Sequence, residues 1–155
     1  MTAQEIFEKL KETMGKDSVE FVDDRLSPFI KVKPDFIQKT ALYLFENPDL
    51  FFNSLMNLTC VDYPDTFTIV YHLFSMKHLH KITLKVTVDK TNPFVLTVEN
   101  IWNAANWFER EVYDLFGVRF DGHSNMIRIL LPDDWEGHPL RKDYQYPQTY
   151  RGIPL

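Results

Sequence analysis

The amino-acid sequence predicts an α+β fold, in which helices lie on one face of a mostly antiparallel sheet. Three segments have apolar residues at spacings of three and four, which is typical of amphipathic helices. The segments between them alternate apolar and polar residues, which is typical of strands. The predicted order is helix, two strands, helix, a run of strands and a last helix. This order favours a variant of the ferredoxin-like fold.

The first third of the chain is predicted to contain two helices and two short strands. Thr2 and Glu5 form a capping box at the start of a helix that extends to Met14. Pro34 opens the second helix, and Pro48 prevents it from continuing. The strands between these helices are predicted at Val19 to Val22 and at Phe29 to Val32.

A run of strands follows the second helix. The segment from Phe67 to Ser75 is apolar on both faces, which indicates a central strand. The segment from Lys81 to Val88 alternates strictly, which predicts a half-exposed antiparallel strand. Residues 76–80 are expected to join the two as a hairpin, and strand character near Leu55 to Val61 supplies a further neighbour.

The last part of the chain combines a helix with an irregular tail. Ala105, Phe108 and Val112 share one face of a predicted third helix that ends at Gly117. A short strand is expected near Ile127 to Leu130. We therefore expect an α+β domain over residues 1–130 and an extended, proline- and aromatic-rich arm over residues 131–155 that contacts partner proteins. The alternative for the last eight residues is a disordered end.

Composition excludes several classes of function. The 155 residues fit one domain, and the net charge of −5 without a basic stripe argues against a nucleic-acid partner. Cys60 is the single cysteine, so an internal disulfide is excluded. No apolar run approaches the roughly 18 residues of a membrane-spanning helix. A leader sequence is not apparent either, and we expect a cytoplasmic location.

The chain is poor in motifs that carry chemistry. Its five histidines and one cysteine do not supply the ligand set of a zinc site or an iron–sulfur cluster. A glycine-rich loop for a nucleotide or flavin phosphate is not present in the sequence. We therefore predict no catalytic, cofactor-binding or metal-binding residues. An enzyme acting alone through Glu109, Glu111 or His123 is a disfavoured alternative.

One segment carries a specific pattern, and we call residues 107–144 the signature segment. It contains Trp-Phe-Glu-Arg-Glu-Val-Tyr-Asp-Leu-Phe-Gly, then Arg-Ile-Leu-Leu-Pro-Asp-Asp-Trp, then Glu-Gly-His-Pro-Leu-Arg-Lys-Asp-Tyr. This pattern resembles the family of the C subunit of proton-pumping NADH–quinone oxidoreductase, respiratory complex I. Earlier pieces such as Leu58 to Tyr63 agree, so that the resemblance covers roughly residues 50–147. One departure is Ile127, where the family often has a basic residue.

The resemblance implies a non-catalytic subunit that docks and braces the quinone-reducing module of the hydrophilic arm. The whole complex would transfer electrons from NADH to quinone. It implies no cofactor in this chain and flavin and iron–sulfur clusters in partner subunits. The D subunit would be the main partner, with B and I nearby, and the complex would hold the chain at the cytoplasmic face of the membrane.

Two other classes of protein are alternatives to this assignment. One is the equivalent subunit of a membrane-bound hydrogenase, a coenzyme F420-linked dehydrogenase or a photosynthetic NDH-type complex. The other is a free-standing binding module that shares only the fold. The resemblance also marks a set of signature positions with inter-subunit or structural contacts. They are Glu109, Arg110, Glu111, Asp114, His123, Arg128, Pro132, Trp135, His138, Pro139, Arg141, Lys142, Asp143 and Tyr144.

The charged residues of the third helix raise a question of pairing. Successive helix positions point about 100° apart, so at least one of residues 109–111 borders the hydrophobic face. A charge in that position is normally paired. The pairs could lock the helix to the C-terminal segment, or some could reach another subunit. The candidate intrachain pairs are Arg110 with Asp114, or Glu111 with a tail arginine such as Arg128 or Arg141.

Overall fold

The computed structural model describes residues 1–15 and 17–154 and confirms an α+β fold. Its helices are α1 (Ala3–Met14), α2 (Ile37–Glu46) and α3 (Ala105–Phe116), with a 3-10 turn at Pro34–Phe36 before α2. Its strands are β1 (Val19–Val22), β2 (Phe29–Val32), β3 (Ser54–Asp62), β4 (Thr66–Ser75), β5 (His80–Asp89), β6 (Phe94–Leu96), β7 (Arg119–Asp121), β8 (Thr149–Tyr150) and β9 (Ile153–Pro154).

Helix α1 begins with the predicted capping box. The Thr2 hydroxyl accepts the Glu5 N–H at 3.3 Å, and the Glu5 carboxylate accepts the Thr2 N–H at 2.7 Å. These bonds satisfy two of the N–H groups that a helix start leaves without partners. The apolar side of α1 places Ile6 and Leu10 in the core with no exposed surface.

The main sheet has five strands in the order β1-β2-β5-β4-β3. It is mixed, because β2 and β5 run parallel, with Ile30 opposite Leu84, while the other neighbours are antiparallel. The chain leaves β2 through α2 and returns through the meander β3-β4-β5, which brings β5 beside β2 in the same direction. The predicted ferredoxin-like order is not found. The strand after α3 is β7, and it pairs with β6 in a separate two-stranded sheet.

One face of the main sheet carries the core. Phe67, Ile69, Tyr71 and Leu73 of β4 are buried on this face, opposite the buried apolar residues of β5. Buried residues of all three helices belong to the same apolar cluster. The strict alternation predicted for Lys81 to Val88 is confirmed. The predicted hairpin between β4 and β5 is confirmed as well.

The C-terminal part differs from the prediction in two ways. The strand expected near Ile127 to Leu130 does not form, because the backbone N–H groups of residues 129–131 bind a side chain of α3. Residues 132–154 contain turns, irregular backbone and the β8–β9 hairpin, so the extended arm predicted there is not confirmed. This segment also returns to the domain, since the Leu140 N–H donates to the Leu115 carbonyl at 3.0 Å.

Candidate functional site

Helix α3 contains the first part of the signature segment, and the chain turns back at Gly117. The Gly117 N–H donates to the Tyr113 carbonyl, and its φ of +77° is the left-handed conformation that ends many helices. A Cβ at this position would lie 2.5 Å from the His138 ring and 2.9 Å from the Arg141 guanidinium. Glycine is therefore required for both the turn and the close approach of the tail.

Asp114 is the central acceptor of the site, and its side chain is fully buried. Its Oδ2 accepts the backbone N–H groups of Ile129, Leu130 and Leu131 at 3.1, 2.8 and 3.0 Å. Its Oδ1 accepts a bond from Arg128 at 2.7 Å. Burial alone would raise the pKa of Asp114, but these hydrogen bonds outweigh it and hold the pKa below its ordinary value. The carboxylate therefore stays ionised and ties the segment after residue 128 to α3.

Arg128 extends the connection to the next loop. Its Nη2 donates to the Trp135 and Gly137 carbonyls, each at 2.9 Å, while Nη1 also donates to the Asp114 carbonyl at 3.1 Å. The planar guanidinium suits this work because it offers five N–H donors in a fixed geometry. One side chain thus joins α3 to the loop around residue 136.

Two basic side chains of the tail bind the C-terminal end of α3. His138 Nδ1 donates to the Asp114 carbonyl at 2.9 Å, and burial lowers the pKa of His138 despite that bond. Arg141 Nε donates to the Phe116 carbonyl at 2.6 Å, with the guanidinium 5.1 Å from the Phe67 ring centroid. Both bonds satisfy carbonyls that a helix end leaves without partners, and the Arg141 charge also suits the negative end of the helix dipole.

The residue after Arg141 reaches the sheet. The Lys142 backbone N–H donates to the Asp62 carboxylate at 2.7 Å, and Asp62 also forms an ion pair with Lys90. Asp62 and Lys90 were not among the predicted site residues. The family-like segment from Leu58 to Tyr63 contains Asp62, so a signal for it was present in the sequence.

Trp135 and Tyr144 brace the loop that Arg128 holds. Trp135 Nε1 donates to the Tyr144 hydroxyl at 3.0 Å, and that hydroxyl donates to the Glu136 carbonyl at 3.1 Å. A Cβ on Gly137 would lie 2.7 Å from the Tyr144 ring, so the ring packs directly on the backbone. Pro132, Pro139 and Asp143 lie in the turns of this same segment; Pro132 and Asp143 are exposed and Pro139 is half-buried.

We use the term clasp for the residues that fasten the tail to α3 and to β3 and that brace the loop of the tail. The hydrogen-bonding groups of these residues are largely satisfied within the chain. The role of the clasp is therefore to hold the structure together. Within it, backbone carbonyls meet cationic donors, and one ionised carboxylate meets three N–H groups and a guanidinium. The members are Asp114, Arg128, Trp135, His138, Arg141, Lys142 and Tyr144.

Glu109 lies in a separate network on the inner side of α3 and has no exposed surface. Its carboxyl group accepts the Val98 N–H at 2.8 Å and the Thr97 hydroxyl. Burial raises the pKa of Glu109 to about 7, although both hydrogen bonds act in the opposite direction. The prediction that one charge of residues 109–111 borders the hydrophobic face is confirmed.

A second buried carboxylate, Glu99, adjoins this network. It accepts hydrogen bonds from the Asn106 amide at 2.6 Å and from the Ser124 N–H. Its Oε2 lies 3.4 Å from His123 Nε2, which itself donates to the Asn106 carbonyl at 3.1 Å. Burial acts to raise the pKa of Glu99, but the hydrogen bonds from Asn106 and Ser124 lower it below its ordinary value. His123 therefore fastens the turn after β7 to α3. The sequence pattern marked His123 as a signature position but did not indicate its partner.

Neither candidate ion pair of α3 occurs among the residues that the structure describes. Asp114 pairs with Arg128 and not with Arg110, because the tail brings Arg128 to the buried side of the helix. Arg110 instead donates to the Ile127 carbonyl at 3.1 Å. Arg141 donates to a helix carbonyl, and Glu111 is exposed. Of the two roles that the sequence left open, the charges of Asp114 and Arg128 lock α3 to the C-terminal segment.

The described residues form neither a metal-binding cluster nor a membrane-spanning helix. Over residues 1–15 and 17–154, the structure brings no three histidine, cysteine, aspartate or glutamate side chains into an arrangement that could hold a metal ion. Cys60 is buried, and this burial raises its pKa to about 12. Among the helices of the described part of the chain, none combines the length and apolar character that a membrane crossing requires.

The fold and the clasp define a class of small α+β protein. In this class, the C-terminal segment of the chain is fastened to a helix that carries several charged residues. A family model, that of the respiratory-chain NADH dehydrogenase 30 Kd subunit, matches residues 30–150. The chain belongs to this family. The match includes the whole signature segment and most of the main sheet.

Relatives with known names agree with the family. The chain is 42% identical over 150 residues to the C subunit of NADH-quinone oxidoreductase from Chloroherpeton thalassium, covering 94% of this chain and 62% of that protein. It is 39% identical over 153 residues to the C subunit from Chlorobium phaeobacteroides, covering 96% of this chain and 92% of that protein. The chain thus spans less than two thirds of the Chloroherpeton protein and nearly all of the Chlorobium protein.

Two solved structures resemble the fold. One is a trypsin-resistant fragment (1-134) of Nqo5, with a TM-score of 0.65 and 26% identity, covering 77% of this chain and 98% of the fragment. The other is a chain of the membrane-bound sulfane sulfur reductase, an archaeal respiratory membrane complex. It matches with a TM-score of 0.75 and 28% identity, covering 92% of this chain and 85% of that chain.

Proposed function

We propose that this chain is the C-type subunit of an NADH–quinone oxidoreductase and that it docks and braces the quinone-reducing module of the hydrophilic arm. It has no activity by itself in this proposal, and the whole complex transfers electrons from NADH to quinone. The family match over residues 30–150 and the identity to named C subunits support this assignment.

One observation about the signature segment carries the docking role. Asp114, Arg128 and Arg141 are engaged within the chain, whereas several apolar side chains of the segment are exposed. Trp107 is 64% exposed, Leu130 is 61% exposed and Leu140 is 52% exposed. Aromatic side chains such as tryptophan are enriched at protein–protein interfaces relative to the rest of the surface. The clasp would give the signature segment a fixed shape before the partner binds, which lowers the entropic cost of association.

The finer assignments follow from the same proposal. The D subunit would be the main partner, with the B and I subunits nearby. Flavin and iron–sulfur clusters would lie in partner subunits of the complex and not in this chain. Partner subunits would hold the chain at the cytoplasmic face of the membrane. Residues 1–130 would form the domain, and the segment 131–155 would supply partner contacts together with the exposed part of α3.

A second candidate is the equivalent subunit of a related respiratory complex with another electron donor or acceptor. The likeness to a chain of the sulfane sulfur reductase supports this candidate, since it covers 92% of this chain with a TM-score of 0.75. The signature segment is typical of this type of subunit and does not identify the electron donor of the complex. The identity of the partner subunits therefore distinguishes the two candidates.

Purification of the tagged full chain from its own membranes in mild detergent tests both candidates. The co-purifying subunits would be identified by mass spectrometry, and flavin, nickel and iron would be measured. A flavin-bearing NADH module with a D-type subunit is the expected result. Nickel with a hydrogenase large subunit would favour the second candidate. A colourless monomer without partners would refute both.

A further inference from the structure

The outer side of α3 carries an aromatic residue and an arginine that face away from the core. Trp107 and Arg110 are three positions apart, so they share one side of the helix. The Trp107 side chain is 64% exposed. The Arg110 guanidinium carbon lies 5.1 Å from the centroid of the Trp107 ring, in the geometry of a cation–π contact.

Arg110 is held in place by neutral groups. Its Nε donates to the Ile127 carbonyl at 3.1 Å, and its Nη2 approaches the Arg128 carbonyl at 3.4 Å. A guanidinium has five N–H donors, so these two bonds leave donors available. Among the residues that the structure describes, the ion pairs within 4.0 Å do not include Arg110. Its positive charge is thus oriented by the fold without being neutralised by it.

Ile127 borders this arginine and is 51% exposed. We call Trp107, Arg110 and Ile127 the Trp107 platform, because the Arg110 guanidinium lies against the Trp107 ring and donates to the Ile127 carbonyl. Tryptophan and arginine are the residue types most enriched among those that dominate binding energies at protein interfaces. Isolated exposed apolar residues are common, but a guanidinium that is oriented by two such residues and is not neutralised is a directional site.

We propose that the Trp107 platform binds a segment of a partner subunit that presents a carboxylate beside an apolar side chain. The carboxylate would pair with the free donors of Arg110, and the apolar side chain would pack on Trp107 and Ile127. Charge complementarity supports this occupant, because a planar guanidinium matches a carboxylate in a two-bond geometry. The inference rests on the proposed function and names the chemistry of one contact in that interface.

The test uses the tagged full chain in its own membranes. The variants are Arg110→Ala, Arg110→Lys and Trp107→Ala, and the controls are Met76→Ala and Lys81→Ala. The controls remove an exposed apolar and an exposed basic side chain at the β4–β5 turn.

We expect Arg110→Ala and Trp107→Ala to lower partner recovery per tagged chain about tenfold or more. Arg110→Lys should fall between Arg110→Ala and the wild type, because lysine keeps the charge without the planar fork. The controls should equal the wild type.

The outcomes separate the platform from the proposed function. If the wild type recovers its partners and Arg110→Ala and Trp107→Ala recover them equally well, the platform is refuted while the proposed function stands. If the wild type recovers no partner, the proposed function itself fails. Equal loss in the controls would also refute the platform, since the effect would not be specific to it.

A photo-crosslink identifies the contacting peptide directly, without comparing how much complex each variant forms. A benzophenone amino acid in place of Trp107, with all other residues native, should label one peptide of a partner subunit. We expect that peptide to contain an aspartate or glutamate beside an apolar residue. Labelling of a peptide without a carboxylate side chain, or of a second copy of this chain, would overturn the proposal.

Discussion

Substitution of Asp114 by alanine is the sharpest test of the clasp. The change removes one fully buried carboxylate that accepts three backbone N–H groups and the Arg128 guanidinium. Arg128 is 13% exposed in its side chain, so it would be left largely desolvated without its counter-ion. Breaking a buried ion pair in this way costs about 3–5 kcal/mol, much of the roughly 5–15 kcal/mol that stabilises a typical domain.

Urea denaturation of the isolated chain, followed by tryptophan fluorescence, measures this loss. The unfolding midpoint of Asp114→Ala should fall well below that of the wild type. Limited proteolysis under native conditions should cut Asp114→Ala first near residues 128–141, because the tail loses its attachment to α3. Glu111→Ala is the matched control, since that carboxylate is exposed on the same helix, and it should change stability by about 0.5 kcal/mol or less.

A double-mutant cycle isolates the pair. Arg128→Met combined with Asp114→Ala removes both charges, so it should be less destabilising than the sum of the two single changes. The stability of the wild type should also fall in acid. The pKa of Asp114 is lower in the folded chain than in the unfolded one, so its contribution is present above the unfolded value and is lost as the pH falls through the folded value. A loss below about 1 kcal/mol for Asp114→Ala would refute the central role that we give to this carboxylate.

Two further predictions concern the neighbours of the clasp. The folded pKa of Glu109, about 7, exceeds the ordinary 4.5, so ionisation should destabilise the fold by up to about 3 kcal/mol as the pH rises from 4.5 through 7. Thermal unfolding of Glu109→Gln should lack most of that decline, and an unchanged pH dependence would contradict the assignment. Gly117→Ala should cost more than about 2 kcal/mol, because a left-handed backbone adds to a Cβ contact of 2.5 Å with His138. Gly152→Ala, with φ +79° and open space around its Cβ, is the control in thermal unfolding, and equal losses would remove the steric part of the argument.

Local patterns in the sequence predict the elements that depend on neighbouring residues. The Thr2–Glu5 capping box, the alternation of β5 and the end of α3 at Gly117 all involve residues within a few positions of one another. The burial of a charge in residues 109–111 also follows from helix geometry alone. The signature segment likewise contains all the residues of the clasp.

The partners of those residues depend on the tertiary structure. Arg128 reaches Asp114 across 14 residues, and Lys142 reaches Asp62 across 80, so neither contact leaves a periodic pattern in the sequence. The parallel pairing of β5 with β2 also leaves no periodic pattern in the sequence, because it results from the path of the chain through α2 and the meander β3-β4-β5. Sequence patterns were enough to establish most of the secondary structure, the family and the chemistry available at each position. Which charges neutralise each other became clear from the folded chain, because pairing depends on burial and on distances between segments that lie far apart in the sequence.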